Sequence, residues 1–290
     1  MTAFPAFEVT IPGKWVLSGE HSVLRGARAV ALPHPEFRLN LRFKTGGERF
    51  ETAPPEAREL AIALVEGVFR ISGKTAPELS PGLLEIQSTI PFGAGLGSSA
   101  ALCSAIVRWL APVAGIPSEE IREVATRLED RFHGRSSGMD VAVTSEERPI
   151  VFQNTGGERK VELLPLEKMP KFSFHDTGLR KKTSECIARV ERFHAENPQR
   201  GSELDDRMGR ASVLAEEGLR LFSQAGDEKG RASALESIKS AMETGQSCFR
   251  EWDLMPESAT EIERALRKRG ALSVKLTGAG GGGFLVALWL

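Results

Sequence analysis

Residues 90–110, "IPFGAGLGSSAALCSAIVRWL", join a stretch of very small side chains directly to an apolar segment. From Gly93 to Ala101 only Leu96 has a side chain larger than a hydroxymethyl group. Apolar residues then recur at steps of three and four, which predicts a helix that begins near Ser99. The chain must therefore make a turn that is almost free of side chains directly before a helix.

Two interpretations of this stretch are open from these residues alone. In the first, the glycines form a flexible turn, and Ser98 or Ser99 caps the helix. In the second, the unpaired N–H groups and partial positive charge of the helix N-terminus bind a phosphate. A phosphate reaches those donors only if no Cβ atoms stand in front of them, which explains the small side chains.

Composition limits the class of protein. A chain of 290 residues suits one large or two medium domains. The net charge of −1 and the lack of a long basic block argue against nucleic acid or a membrane surface as the main partner. The three cysteines are far apart and odd in number, which fits no disulfide framework or zinc spacing and indicates a reducing cytoplasm.

Strand and helix patterns alternate irregularly, which predicts an α+β fold in two domains. Strands are predicted at 36–44 and 83–90, within 137–157, at 171–178, and on both sides of the glycine run near the C-terminus. Helices are predicted at 56–72, from 118 to Gly134, and at 182–196, 203–225, 228–250 and 256–270. The segment "DVAV" after Gly138 is predicted to be a strand. The mixed, proline-containing stretch 155–170 predicts a boundary between domains 1–165 and 166–290.

Two common phosphate-binding motifs do not fit. "GVFRISGKT" has five residues between Gly67 and Gly73 where a Walker A loop needs four. "GLGSSA" fits the dinucleotide fingerprint G-x-G-x-x-A at Gly95, Gly97 and Ala100, but no acidic residue closes a following strand about 20 residues on.

Several stretches together resemble the three signature motifs of the GHMP kinases, the superfamily of galacto-, homoserine, mevalonate and phosphomevalonate kinases. These stretches are "PGKWVLSGEHSVLRGARAVALP", "PFGAGLGSSAA", "HGRSSGMD" and "KLTGAGGGGF". They follow one another in the family's order across nearly the whole chain. The resemblance implies a two-domain fold, with an ATP-binding N-terminal domain like ribosomal protein S5 domain 2 and a ferredoxin-like C-terminal domain.

Within the superfamily the chain is most similar to the mevalonate kinases. "GEHSVLRG" resembles their first motif, and phosphomevalonate kinases often have Tyr where this chain has His21. "DTGLRKKTSECIARV" is similar to their T-x-x-x-R-x-T segment, although Arg180 stands one position early. The resemblance implies ATP-dependent phosphorylation of the primary alcohol of mevalonate, a step of isoprenoid precursor synthesis. A phosphomevalonate kinase, a sugar kinase and a non-catalytic nucleotide-binding relative are the alternatives.

The resemblance also implies ATP and Mg²⁺ as cofactors and assigns residues to them. The ATP phosphates would be bound by Gly93, Gly95, Leu96, Gly97, Ser98, Ser99 and Ala100. Ser99 and Glu129 would bind Mg²⁺, which prefers oxygen ligands. Asp140 would accept or orient the proton of the substrate hydroxyl, and Lys14 would stabilise the negative charge beside it. The acceptor would contact Glu20, His21, Thr177, Gly278, Ala279 and Gly280.

Each of these charged residues has a simpler interpretation. Glu129 would otherwise be a solvated helix residue, Asp140 a turn residue beside Gly138, and Lys14 a surface lysine. The mevalonate carboxylate calls for a cation, which one of the residues at 180–182 would supply unless they are a solvated helix start.

Family members usually continue past the third motif through another helix and strand. This sequence ends at Leu290, directly after "FLVALWL", so we expect an abbreviated C-terminal domain. The resemblance allows a homodimer, and the expected partners are a small-molecule alcohol and ATP, without nucleic acid or membrane.

Overall fold

The computed structural model describes residues 3–133 and 136–290. Gly134, the predicted end of one helix, lies outside these residues. The strands are β1 (Phe7–Ser18), β2 (Arg28–Thr45), β3 (Phe50–Ala53), β4 (Gly82–Ser88), β5 (Ile150–Thr155), β6 (Glu158–Leu163), β7 (Lys171–Asp176), β8 (Ser273–Thr277) and β9 (Phe284–Trp289). The α-helices are α1 (Arg58–Ile71), α2 (Ser98–Ala114), α3 (Ile121–His133), α4 (Met139–Glu146), α5 (Thr183–Glu196), α6 (Pro198–Gln224), α7 (Glu228–Glu251) and α8 (Glu257–Lys268).

The chain forms two compact units that interleave in sequence. Unit 1 comprises Met1–Lys14, Pro33–Pro91 and Gly97–Glu147, and unit 2 comprises Trp15–Leu32, Phe92–Leu96 and Arg148–Leu290. These units do not follow the predicted boundary at residue 165, and the division into domains 1–165 and 166–290 stays a prediction.

Unit 1 packs a sheet against helices. The second part of β2 pairs antiparallel with β4, and β4 pairs parallel with β3. Leu39, Leu41 and Phe43 are buried on one face of β2, as the alternating pattern predicts. The Phe43 ring lies 4.7 Å from that of Trp109 in α2, measured between centroids. This aromatic contact fixes α2 against the sheet.

Unit 2 contains a three-stranded antiparallel sheet in the order β7-β9-β8. Every residue from Phe284 to Leu288 in β9 is buried, as expected for a central strand that is covered on both faces. Helices α5 to α8 belong to this unit. In the same unit, the start of β2 pairs with β5, and β5 forms a hairpin with β6.

One prediction about secondary structure was wrong. The segment "DVAV" is part of helix α4, because Gly138 adopts a left-handed conformation (φ 86°) that starts the helix. Val141, Ala142 and Val143 are all buried there, so the apolar residues serve a helix and not an alternating strand. Strand β6 occupies part of the stretch 155–170 and ends before residue 165, so the domain junction in this stretch stays a prediction.

Candidate active site

The glycine run of the second motif, residues 93–97, ends directly at helix α2. The glycine run of the third motif comprises residues 278–283. Gly97 precedes the helix in a left-handed conformation (φ 74°, ψ 30°), and none of the described side chains caps the helix N-terminus. The interpretation of Ser98 or Ser99 as a helix cap is therefore wrong. A Cβ on Gly97 would lie 2.7 Å from Cγ of Lys14, so glycine is needed here for the close approach of that lysine.

Lys14 and Asp140 form an ion pair in unit 1, with 3.0 Å between Nζ and Oδ2. The Lys14 side chain is 4% exposed and the Asp140 side chain 33% exposed. Lys14 is thus not a surface lysine. Asp140 stands in the first turn of α4, with part of its carboxylate open to solvent. This is the charge pair expected of a base and a cation that stabilises charge on an attacking oxygen.

Glu129 of α3 is buried next to this pair. Its Oε1 accepts a hydrogen bond from Ser99 Oγ at 3.2 Å, while its Oε2 is buried without a hydrogen-bond partner among the described residues. Burial, and next the nearby Asp140 carboxylate, raises the pKa of Glu129 to about 8. Glu129 is therefore not a solvated helix residue.

The Glu129 environment suits a divalent cation. The described residues contain no cluster of three or more His, Cys, Asp or Glu side chains that would bind a metal by itself. Mg²⁺ usually takes one or two protein carboxylates and completes its shell with phosphates and water. A buried carboxylate oxygen without a hydrogen bond, next to a serine hydroxyl, supplies donors of this kind.

The predicted acceptor residues lie together in unit 2. Glu20 and Lys275 form a buried ion pair, and the Lys275 ammonium also donates to the carbonyl of Leu276 at 2.6 Å. Lys275 is 0% exposed. The next residue along the chain from Glu20, His21, is 5% exposed and bonds through Nε2 to the carbonyl oxygen of Ala279 at 2.8 Å.

His21 is neutral in this environment. Burial lowers its pKa to about 4. A carbonyl oxygen only accepts hydrogen bonds, so Nε2 must carry the proton, and Nδ1 is left as an acceptor. A neutral histidine with a fixed tautomer is suited to accept a hydrogen bond from an alcohol.

The third glycine run, residues 278–283, packs against the second glycine run, residues 93–97. A Cβ on Gly278 would lie 2.9 Å from the carbonyl oxygen of Gly95, and a Cβ on Gly283 would lie 2.6 Å from that of Ala94. Thr177 donates its hydroxyl to the carbonyl of Gly283 at 2.8 Å, so it fixes this turn. The glycines of the third run therefore serve a close contact between two backbone segments, which a mobile hairpin tip would not need.

The three consecutive cations after Thr177 differ in their contacts. Arg180 forms a double hydrogen bond with Asp176, at 2.7 and 2.6 Å. Lys181 lines a small cavity together with glycines of both runs, among them Gly93, Gly95 and Gly280. Lys181 therefore stands next to the glycine turns, and Cβ and Cδ of Arg180 also lie 4.0 Å from where a Cβ on Gly93 would be.

Sequence reasoning missed Lys275 and Asp205. Lys275 lies in the otherwise uncharged strand "SVKLT", and a lone charge in a buried strand is a signal for a buried partner. Asp205 of α6, which binds the turn after His21, is hard to identify from the sequence because Ser22 and Arg25 lie 183 and 180 residues away. Nε2 of His194 also lies 3.7 Å from Oδ2 of Asp205.

Two family models match the chain. The model of the GHMP kinases N terminal domain matches residues 60–147, and that of the GHMP kinases C terminal matches residues 231–289. The chain belongs to the GHMP kinase family. This GHMP kinase is accordingly an ATP-using phosphotransferase with an alcohol group as acceptor. The predicted recognition and fold class are confirmed.

Several mevalonate kinases are similar to this chain over nearly its full length. The mevalonate kinase of Pyrococcus furiosus is 29% identical over 303 residues, which cover 96% of this chain and 87% of that protein. The mevalonate kinase of Thermococcus sibiricus is 28% identical over 302 residues, with the same coverage. The crystal structure of L. major mevalonate kinase in complex with R-mevalonate has the same fold, with a TM-score of 0.78 at 22% identity, and covers 97% of this chain and 86% of that chain. Within the described residues of this GHMP kinase, no helix is long and apolar enough to cross a membrane.

Proposed function

We propose that this GHMP kinase transfers the γ-phosphoryl group of ATP to the primary alcohol of mevalonate. The acceptor is supported by the full-length similarity to proteins named mevalonate kinase. The chemistry is supported chiefly by one observation, the Lys14–Asp140 ion pair at 3.0 Å beside the buried Glu129.

Asp140 is the proposed base of the reaction. Its partly exposed carboxylate takes the proton of the acceptor hydroxyl as the oxygen attacks the γ-phosphorus in line. The Lys14 ammonium stabilises the negative charge that grows on the attacking oxygen. Since phosphoryl transfer needs little covalent help, positioning and charge account for most of the rate.

The proposed phosphate site is the N-terminus of α2 with the turn before it. The first N–H groups of a helix have no intrahelical partner and attract anions. The residues of this site are those predicted for ATP: Gly93, Gly95, Leu96, Gly97, Ser98, Ser99 and Ala100. Leu96 and Ala100 are buried, so they contribute through their backbone and not through their side chains.

Ser99 and Glu129 are the proposed protein ligands of Mg²⁺. The bound cation would neutralise charge on the phosphate oxygens. The proposed acceptor residues are Glu20, His21, Thr177, Gly278, Ala279 and Gly280. The cytoplasmic location stays a prediction, and the family resemblance allows a homodimer.

An ADP-release assay with several acceptors tests the proposal. Mevalonate, phosphomevalonate, galactose and homoserine are compared at equal concentration with ATP and Mg²⁺. We expect turnover of mevalonate far above that of the others. A preference for galactose would indicate a sugar kinase, and turnover of phosphomevalonate alone would indicate a phosphomevalonate kinase. ATP binding without turnover of any acceptor would indicate a nucleotide-binding relative.

A further inference from the structure

The turn that carries Glu20 and His21 has a strained backbone. His21 has φ 60° and ψ −51°, and the Ser22 N–H donates to the carbonyl of Glu20 at 2.7 Å. This is the form of γ-turn with positive φ, which is rare because it is unfavourable for a residue with a side chain. Such a conformation persists only where the surrounding structure holds it.

One side of the turn is held by the third glycine run. The Nε2–H group of His21 donates to the carbonyl of Ala279 at 2.8 Å. The His21 ring also packs edge-on against the ring of Trp252, with 5.4 Å between centroids. These contacts fix the ring but not the backbone that follows it.

On the other side, the carboxylate of Asp205 in α6 binds the side chains of the turn, in addition to backbone bonds from the Val23 N–H to Gly19 and from the Leu24 N–H to His21. Oδ1 of Asp205 accepts from the Ser22 hydroxyl at 2.8 Å and from Arg25 Nη2 at 2.7 Å, and its Oδ2 accepts from Arg25 Nε. Ser22 and Arg25 are the first and last residues of the short 3-10 helix that follows His21. Asp205 therefore bonds both ends of the segment directly after the strained residue.

We propose that Asp205 is a positioning residue for the acceptor substrate, which acts by holding Ser22 and Arg25 so that His21 stays in its strained conformation. The proposal rests on the proposed function, because it takes His21 as an acceptor contact. Without Asp205 the turn relaxes to an unstrained backbone, and the imidazole moves away from the orientation in which Nε2 donates to Ala279 and Nδ1 accepts. Asp205 itself touches no reacting atom.

The first test compares Asp205→Asn with the parent protein in steady-state kinetics. The substitution keeps the size of the side chain but removes the charge that makes its bonds with Arg25 strong. We expect the KM for mevalonate to rise about tenfold or more, while the KM for ATP stays within about twofold. Ser22→Ala, which leaves the Arg25–Asp205 pair in place, should show the same split to a smaller degree. The double variant should have a KM for mevalonate little higher than that of Asp205→Asn alone, because both changes break the same link between the turn and α6.

Glu251→Gln is the matched control. Glu251 of α7 also accepts from two arginines, Arg200 and Arg207, and among the described residues it forms no hydrogen bond or ion pair with the turn. If Asp205→Asn raises the KM for mevalonate no more than Glu251→Gln does, Asp205 stabilises the fold without positioning the acceptor, and the proposal is wrong while the proposed function stands.

Histidine NMR of the substrate-free protein gives a readout that does not depend on mevalonate. The charged groups that face His21 are Arg25 and Asp205, and Lys275 from β8. Loss of the Asp205 charge alone would lower the pKa of His21, so a rise in that pKa after Asp205→Asn indicates loss of burial. We expect the His21 titration midpoint to move up from about 4 towards 6.5. An unmoved or lower midpoint would show that Asp205 does not hold the turn. Absence of mevalonate turnover by the parent protein would overturn the proposed function instead.

Discussion

At the scale of single residues, burial separates functional from ordinary charges. Lysine and glutamate are almost never fully buried unless they are paired, yet Lys14 is 3% and Glu129 4% exposed. Burying a charge is costly, so such residues persist where another group compensates the charge. Asp140 pairs with Lys14, whereas one oxygen of Glu129 has no hydrogen bond among the described residues. This difference is the reason to assign Glu129 to a cation and Asp140 to proton transfer.

Asp140→Asn should abolish most of the turnover while ATP binding is kept. Asparagine preserves size and hydrogen bonding but cannot take a proton, so we expect kcat to fall by roughly 10²–10⁴-fold. Steady-state kinetics and calorimetric titration with ATP check this. A kcat within a few-fold of the parent would identify Asp140 as a turn residue only.

Glu129→Gln and Ser99→Ala should raise the Mg²⁺ concentration needed for half-maximal activity. The amide is a weaker ligand than a carboxylate, and alanine has no ligand at all, so we expect a shift of about tenfold or more for Glu129→Gln. The measurement is a Mg²⁺ titration of activity at saturating ATP. An effect of Ser98→Ala in place of Ser99→Ala would exchange the roles of the two serines, and unchanged titrations for both original variants would refute the assignment.

At the scale of elements, glycines determine how α2 and its turn contact their neighbours. Gly97 makes room for Lys14, and Gly278 makes room for the backbone of Gly95. In the phosphate-binding interpretation, the residues before α2 lack Cβ atoms so that a phosphate can approach. At Gly97 and Gly278, close approach within the protein is itself sufficient to require glycine.

Gly97→Ala should therefore impair catalysis through Lys14. The left-handed backbone costs about 1–2 kcal/mol with a Cβ atom, and the methyl group would displace the Lys14 side chain from Asp140. We expect a large loss of kcat together with a lower melting temperature.

Gly115→Ala is the control at the other end of α2. Gly115 is also left-handed, and its Cβ would meet only the flexible end of Lys74. A similar fall in melting temperature with normal kinetics is expected there. Equal kinetic losses in both variants would show that helix stability, not the Lys14 contact, is responsible.

At the scale of the whole molecule, each compact unit is assembled from distant segments. Trp15, from the first strand, packs its ring 4.9 Å from Phe172 and 5.3 Å from Phe174 of β7. The Val16 N–H donates to the hydroxyl of Thr277 in β8 at 2.7 Å. The sheet β7-β9-β8 thus depends on residues from the start of the chain.

The isolated segment 166–290 should therefore fail to fold stably. It lacks the aromatic packing of Trp15 and would expose the apolar side chains that this residue covers, although sequence analysis predicted it as a domain. Circular dichroism melts of the segment and of the full chain check this. A cooperative melt of the segment within a few degrees of the full chain would support the boundary at residue 165.

The free energy of unfolding should fall as pH is lowered from about 6.5 towards 4. In this range the unfolded chain protonates His21, whereas the folded chain, with a pKa of about 4 for this residue, does not. The unfolded state thus binds more protons, and the contribution of His21 reaches about 3 kcal/mol at most. Urea unfolding at several pH values, with His21→Gln as reference, isolates this contribution, because His34 and the other groups remain in both proteins. Equal pH slopes in the two proteins would contradict it.

The family, the positions of most elements and the residues of the predicted site could all be predicted from the sequence. The small residues before an apolar helix, the alternation in β2 and the stretches that resemble three signature motifs are local patterns, which can be recognised from the sequence alone. The sequence failed at α4, where "DVAV" suits a strand as well as a helix, and left-handed Gly138 together with burial decides for the helix.

Only the tertiary structure decided how those residues are used. It pairs Lys14 with Asp140, 126 positions away, and Glu20 with Lys275, 255 positions away. It also brings Asp205 to Ser22 and Arg25, which lie 183 and 180 positions before it. It also placed Gly97 against Lys14 and put His21 in a strained turn. Such partners cannot be identified from the sequence, because a helix residue with a carboxylate has the same sequence pattern whether it faces water or a buried turn. The charge state and contacts of a side chain depend on what the folded chain brings to it from far away.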